Sequence, residues 1–131
     1  MMACKARTFP DVNEIGSEES LLSRIMTCED PAKIKAFGRQ VSGYNEDIWK
    51  RERYGLVLRG IKAKFEQNPD LMKILLSTGE AILVEASPND KIWGIGLSAT
   101  DPNIHNPRKW RGTNLLGLAL METRSSAQEA R

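Results

Sequence analysis

The sequence contains little of what metal sites, disulfide scaffolds and membrane proteins require. Its 131 residues include two cysteines, Cys4 and Cys28, and one histidine, with no Cys-x-x-Cys pair. A structural zinc site and a disulfide scaffold are therefore not expected, and the thiols suit a reducing, cytoplasmic compartment. No apolar run approaches the roughly 20 residues that span a bilayer, and the start lacks the apolar segment of a secretory signal. We expect no metal, no cofactor and no membrane partner.

The chain also lacks a large excess of positive or negative charge. The formal net charge is +2, which is too small for a dedicated polyanion binder but leaves a local basic patch open. Hydrophobic residues make up 40% and charged residues 27% of the chain, as in an ordinary globular protein. A chain of this length forms one domain with a single core.

Helical patterns dominate what is present. Asp30 before Pro31, Asn45, and Thr113 are typical helix caps, and Gly79 suits a left-handed helix end. Helices are predicted over residues 1–8, from Ser17, from Pro31, from Asn45 to about Gln67, from Pro69 to Gly79 and from Thr113 to about Arg124.

Two short segments read as strands, Ala81–Ala86 and Lys91–Ile95, and residues 98–111 read as a loop. The predicted fold class is α+β, a helix-rich single domain with a small sheet. Residues 1–124 form this domain, and residues 125–131 form a polar, frayed tail.

The strongest functional signal lies at the end of the first predicted strand. Glu85, Asp90, Trp93 and Gly94 bring two acids, an aromatic face and flexible backbone into a dozen residues. Such a set suits a pocket that stacks a flat ring and moves protons beside it. The structural alternatives stay open, because Asp90 could cap its turn, Glu85 could pair with a surface lysine, and Trp93 could belong to the core.

Three further features carry weaker signals. Lys5 could be a buried nucleophilic amine, although a lysine on such a helix usually extends to water. Lys109-Trp110-Arg111 could clamp a phosphate or a base, or form a solvated loop. Asn114 opens the last helix, where free backbone amides could hold an anion, or it could merely assist the cap.

Taken in order, these fragments resemble the NADAR domain family of YbiA-like N-glycosidases, and the resemblance runs from residue 1 to about Arg124. The fragments are Lys5-Ala6, Trp49, Lys64–Asn68, Leu75–Gly79, Val84-Glu85, Asn89–Gly94, Thr113–Gly117 and Leu120-Met121. Each is short, but their common order and spacing are specific.

The resemblance implies a helix-rich α+β domain that hydrolyses N-glycosidic bonds. The implied substrates are phosphorylated ribosyl intermediates of riboflavin biosynthesis, or ADP-ribose attached to guanine, including ADP-ribosylated nucleic acid. Lys5 matches the family's active-site lysine, Glu85 and Asp90 match acids near the ribose, and Trp93 matches an aromatic wall. Asn114 matches a polar residue at the last helix. Gly94 and Trp49 are added as substrate-binding candidates.

The family normally begins with a strand, an aromatic-rich loop and a Ser/Glu motif, and this sequence starts after them. The segment would then be truncated, supplied by another chain, or lost together with activity. The alternative function is therefore a catalytically impaired module that binds ADP-ribose or a nucleotide. A third candidate is a small RNA- or protein-binding domain that uses Lys109, Trp110 and Arg111. The oligomeric state is not predicted, although a missing strand would leave a sheet edge open to a second chain.

Overall fold

The computed structural model describes residues 21–39 and 45–130, and the chain divides into two compact units, Met1–Val57 and Leu58–Arg131. The helix predicted over residues 1–8, with Lys5, lies outside the described residues, and so does the predicted helix start at Ser17. We describe each unit by itself.

The first unit contains two short helices in contact, α1 (Leu21–Thr27) and α2 (Pro31–Gly38). The Asp30 Oδ1 atom accepts the amide N–H of Ala32 at 3.0 Å. An acceptor before a proline at the first helical position satisfies an amide that the helix cannot pair. The predicted cap is confirmed.

The longest helix, α3, runs over Glu46–Glu66 and extends from the first unit into the second. The Asn45 Oδ1 atom accepts the amides of Asp47 and Ile48 at 3.0 and 3.1 Å. This confirms the predicted start, because the side chain satisfies two otherwise unpaired amides. Trp49 and Val57 are buried.

In the second unit, α4 (Pro69–Ser77) packs against the last helix, α5 (Leu115–Glu129). Gly79 follows α4 with φ +60° and donates its amide N–H to the Leu76 carbonyl at 3.1 Å. The predicted left-handed end is confirmed, since glycine adopts this conformation without steric cost.

The α5 helix continues beyond Arg124, so the prediction of a frayed tail is wrong for residues 125–129. The Arg124 guanidinium donates to the Thr78 hydroxyl at 2.8 Å, and the Gln128 side chain donates to the Gly79 carbonyl at 3.2 Å. These bonds fasten the last turns of α5 to the end of α4, which the polar composition of the tail did not indicate.

Between α4 and α5, the residues that the structure describes contain no β-strand. The two predicted strands are wrong: residues 81–87 have no regular secondary structure and residues 91–94 form a bend. In this described part of the chain, a single bond joins the two segments, from the Ile95 amide to the Glu85 carbonyl, and no ladder forms. Other backbone groups of these segments pair with the Asn114 side chain and with residues at and just before the start of α5. The predicted loop at 98–111 is confirmed, with one 3-10 turn at Pro107–Lys109.

The buried apolar side chains of the second unit lie on both helices and in this connection. They are Leu75, Trp93, Ile95, Leu97 and Ala119. The apolar composition of the last helix does not make all of it buried, since Leu118 is 46% exposed. None of the helices in the described part of the chain is both long and apolar enough to cross a membrane.

Candidate functional site

The first turn of α5 is capped by the backbone of the Trp93 bend. Three amides at the helix start donate to three successive carbonyls of that bend. The pairs are Asn114 to Gly94 at 2.9 Å, Leu115 to Ile92 at 3.1 Å and Leu116 to Trp93 at 3.1 Å. These amides are not free for an anion, so the anion-binding interpretation of this helix start is wrong for them.

Thr113 does not cap α5 as predicted. Its hydroxyl donates to the Ile92 carbonyl at 2.6 Å, and its amide donates to the Lys91 carbonyl at 2.9 Å. The cap position belongs to Asn114, which has the left-handed φ of 53° that asparagine tolerates better than most residues. Thr113 therefore fastens the bend, and Asn114 begins the helix.

The Asn114 side chain joins α5 to the segment that carries Glu85. Its Nδ2 donates to the Leu83 carbonyl, and its Oδ1 accepts the Glu85 amide N–H, both at 3.0 Å. The residue is only 4% exposed. A buried amide with donor and acceptor both engaged fixes the position of the backbone that it bonds.

Glu85 is half-buried, and its backbone carbonyl accepts the amides of Ser87 and Ile95 at 3.1 and 2.9 Å. Its carboxylate makes no hydrogen bond or ion pair within the described part of the chain. The suggested pairing with a surface lysine is thus not present there. The backbone of Glu85 is therefore fixed by hydrogen bonds, and its carboxylate is available to bind or protonate a ligand.

Asp90 caps the bend. Its Oδ1 atom accepts the amides of Ile92 and Trp93 at 3.0 and 2.8 Å, which confirms the turn-capping interpretation. The Oδ2 atom has no hydrogen bond among the described residues. One oxygen therefore orients the carboxylate and the other is left to act as an acceptor.

Gly94 brings the two acidic residues together. A Cβ placed on it would lie 2.8 Å from the Glu85 carbonyl oxygen and 2.9 Å from that of Asp90. No side chain fits there, because real Cβ atoms do not approach backbone oxygens so closely. The space beside Gly94 is thus filled by the protein's own backbone.

Trp93 is 6% exposed, so most of its indole faces protein. Its Nε1–H has no acceptor within the described residues, although a buried donor usually has one. Trp49 is also buried, at 7% exposed, and lies in the first unit. The structure thus brings together Glu85, Asp90, Trp93, Gly94 and Asn114.

Part of the Lys109-Trp110-Arg111 group has a structural role in its own loop. The Trp110 indole N–H donates to the Ile104 carbonyl at 2.9 Å, and the Arg111 amide donates to the Ile95 carbonyl at 2.8 Å. The aromatic member therefore holds the loop, while the two basic side chains are exposed.

Two open cavities of about 350 and 280 Å³ lie along α4, one beside the end of α3 and the other extending to α5; neither is lined by Glu85 or Asp90. Among the described residues, no group of three or more His, Cys, Asp or Glu side chains is placed to hold a metal.

The structural roles of two glycines and one arginine were not predicted from the sequence. A Cβ on Gly112 would collide with the Gly94 carbonyl, and one on Gly117 would collide with the Leu83 carbonyl and the Asn114 side chain. Arg124 is buried at 6% exposed. A glycine inside an apolar helix was the available signal for Gly117.

The NADAR domain family model matches residues 1–127. This chain belongs to the NADAR domain family. It is 46% identical to N-glycosidase R617 of Acanthamoeba polyphaga mimivirus over 129 residues, covering 98% of this chain and 72% of that protein. It is 34% identical to the maize chloroplast riboflavin biosynthesis protein PYRR over 109 residues, covering 80% of this chain and 16% of that protein.

The fold is also similar to that of a solved family member. The NMR structure of the E. coli protein YbiA matches with a TM-score of 0.72 and 28% identity, covering 98% of this chain and 66% of YbiA. The NADAR chain described here thus spans about two thirds of that protein. The match confirms a helix-rich YbiA-like fold.

Proposed function

We propose that this NADAR chain is an N-glycosidase that hydrolyses the C–N bond between a ribose and a base. The substrate is a ribosyl phosphate of the riboflavin-pathway type or an ADP-ribosyl group. Support comes from the 46% identity to a protein named N-glycosidase and from similarity to a riboflavin biosynthesis protein. The ADP-ribosyl alternative is supported by the resemblance of the sequence motifs to the family.

The observation that carries the proposal is the carboxylate of Glu85, which has no partner among the described residues, on a backbone that meets Gly94 together with that of the oriented Asp90. Hydrolysis breaks the bond between C1′ and nitrogen, adds a water hydroxyl to C1′ and gives a proton to the leaving base. Glu85 serves as the proton carrier, since its carboxylate has no partner within the described residues. Proton transfer of this kind typically contributes about 10²–10⁴-fold to the rate.

Asp90 stabilises the positive charge that develops on the ribose. Its Oδ1 atom is held by two backbone amides, so its Oδ2 atom has a defined position. A preoriented negative group stabilises an oxocarbenium-like transition state without reorganising during the reaction.

Trp93 and Lys5 complete the proposed site. The buried indole N–H of Trp93 lacks an acceptor in the described part and could donate to a polar atom of the base. Lys5, which the resemblance assigns as the active-site lysine, would attack C1′ as the C–N bond breaks and the base leaves protonated. Opening of the ribose ring would then give an imine, and water would hydrolyse it to the free sugar and the amine. Gly94 and Asn114 support this site by fixing the backbone around both acids.

The test is base release from two substrates, a ribosylaminopyrimidine 5′-phosphate and ADP-ribosylated guanosine, by the wild type and by Glu85→Gln. We expect Glu85→Gln to lower kcat by about 10²–10⁴-fold. Glu80→Gln is the matched control, because Glu80 is an exposed glutamate in the turn after α4 and should leave the rate unchanged. Equal losses in both variants would contradict the role of Glu85.

Two further measurements separate the proposal from the binding-module alternative. A wild type that binds ADP-ribose but releases base from neither substrate would favour the module, particularly if Lys5→Ala binds equally well. Borohydride trapping tests the imine, since an active enzyme with no sugar adduct on Lys5 would leave only the acid–base route.

A further inference from the structure

Arg111 is held against the segment that follows the Trp93 bend. Its amide N–H donates to the Ile95 carbonyl at 2.8 Å, and a Cβ on Gly96 would lie 2.9 Å from the Arg111 Cβ. Gly96 has a φ of +72°, so both its conformation and the lack of space beside it favour glycine. The first atoms of the Arg111 side chain therefore have a defined position, from which its guanidinium extends.

Lys91 lies near Arg111 although the two are far apart in the sequence. The Lys91 carbonyl accepts the Thr113 amide at 2.9 Å, and a Cβ on Gly112 would lie 2.8 Å from the Lys91 Cα. Because Arg111 precedes Gly112 and consecutive Cα atoms are about 3.8 Å apart, the Cα atoms of Lys91 and Arg111 lie within about 8 Å of each other. Two long side chains that start so close together can reach one small ligand.

Neither of these two positive charges is paired in the described part of the protein. Both side chains are exposed, and among the described residues neither makes a hydrogen bond or an ion pair. Two neighbouring cations repel each other, and an anion bound between them replaces that repulsion with attraction. Arginine presents a fork of donors that matches two phosphate oxygens, and lysine adds a point charge. The pair therefore suits a phosphate group.

The basic pair adjoins the candidate acids. Lys91 directly follows Asp90 in the chain. The space beside Gly94 is bounded by the carbonyls of both acidic residues, and the Gly94 carbonyl itself stands against Gly112. In a 5′-phosphorylated riboside, the ribose ring alone separates the phosphate arm from C1′. Groups that act at C1′ and groups that hold the phosphate are therefore expected to be neighbours, as the acids and the basic pair are here.

We propose that Lys91 and Arg111 bind the phosphate on O5′ of the ribose and so select phosphorylated over unphosphorylated ribosides. This inference rests on the proposed glycosidase function and specifies its substrate class. A ribose 5′-phosphate and the terminal ribose of an ADP-ribosyl group both carry a phosphate at O5′, so the site suits either chemistry. A contact that is equally strong in the substrate and in the transition state lowers KM without raising kcat.

The test is base release from a ribosylaminopyrimidine 5′-phosphate and from the same riboside without phosphate, by the wild type, Lys91→Met and Arg111→Met. Each substitution should raise KM for the phosphorylated substrate about ten- to hundredfold, as for the loss of a hydrogen bond to a charged group, and leave kcat within about threefold. The kcat/KM for the unphosphorylated riboside should not change. Arg111→Lys, which keeps the charge but loses the fork, should give a smaller rise in KM.

Arg108→Met is the matched control. Arg108 is an exposed arginine of the same loop, so its replacement lowers the net charge by the same amount as Arg111→Met. The hydrogen bonds of its turn join neighbouring residues of the loop to one another. The control should therefore leave KM unchanged for both ribosides. Equal rises in KM for Arg108→Met and Arg111→Met overturn the proposal, because the effect would then come from net charge.

Calorimetric titration with ribose 5′-phosphate and with ADP-ribose gives a readout that does not need turnover. Both methionine variants should weaken binding by the factor seen in KM, and the ligand that the wild type binds more tightly identifies the source of the phosphate. Weakened binding in a protein that releases no base would support the phosphate site and contradict the proposed function.

The opposite result is equally informative. Base release with unchanged binding and KM in both methionine variants overturns the phosphate site and leaves the proposed function standing. A wild type that neither binds a phosphorylated ligand nor prefers the phosphorylated riboside overturns the site as well.

Discussion

Gly117 in α5 stands against the carbonyl oxygen of Leu83, with no space between them for a methyl group. The same position borders the Asn114 side chain, which bonds that carbonyl. A helix interior normally disfavours glycine by about 1 kcal/mol relative to alanine. Here glycine is needed because the helix passes directly beside the segment that carries Glu85.

Gly117→Ala should therefore lower the free energy of unfolding, by about 1–3 kcal/mol, because overpacking outweighs the gain in helix propensity. Gly60→Ala in α3 is the control, since nothing lies within 4 Å of a Cβ there. That variant should be more stable than the wild type by about 0.5–1 kcal/mol. Urea unfolding measures both; a stabilised Gly117→Ala would show that the helix and the segment can move apart.

Two substitutions at Asn114 distinguish the contribution of its side-chain hydrogen bonds to stability from that of its left-handed backbone conformation. Asn114→Gly keeps the left-handed conformation but leaves the Leu83 carbonyl and the Glu85 amide unpaired, which should cost about 2 kcal/mol. Asn114→Ala should cost about 1 kcal/mol more, because alanine is strained at φ 53°. Chemical denaturation of the two variants gives both differences. An unchanged Asn114→Gly would mean that the amide does not anchor the segment.

The buried Arg124 guanidinium should be coupled energetically to the Thr78 hydroxyl. The donor lies at the C-terminal end of α4, where a positive charge is favourable, and the hydrogen bond is 2.8 Å long. A double-mutant cycle with Arg124→Met and Thr78→Val should give a coupling of about 1–2 kcal/mol. Gln128→Ala, which removes an exposed bond to Gly79, should cost less than about 1 kcal/mol. Strict additivity in the cycle would rule out a direct contribution from this bond.

Sequence patterns predicted well those features whose partners are near in the chain. The Asp30 and Asn45 caps each bond amides two or three residues away, and Asp90 does the same in its bend. Gly79 ends α4 through a bond to Leu76, three residues earlier. In each case the residue type and its position specify the bond, because the donor and the acceptor are only two or three residues apart in the chain.

The errors involve partners that are far apart in the sequence. The two strands were expected from short apolar runs, but in the described residues only one bond, from Ile95 to Glu85, joins them. Other backbone groups bond the Asn114 side chain and the residues around the start of α5. Thr113 was expected to cap α5, yet its hydroxyl bonds Ile92, 21 residues earlier. Periodicity and cap preferences contain no information about such partners.

The sequence alone therefore determined the helices, most of their ends and the presence of two acids, an indole and a glycine within one short stretch. Only the tertiary structure decided that Asn114 engages Leu83 and Glu85, across 31 and 29 residues, and that Gly94 and Gly117 allow these backbones to approach. The reason is physical: local hydrogen bonds follow from residue type and spacing, whereas contacts across many residues form only when the chain folds and the buried backbone groups must be paired.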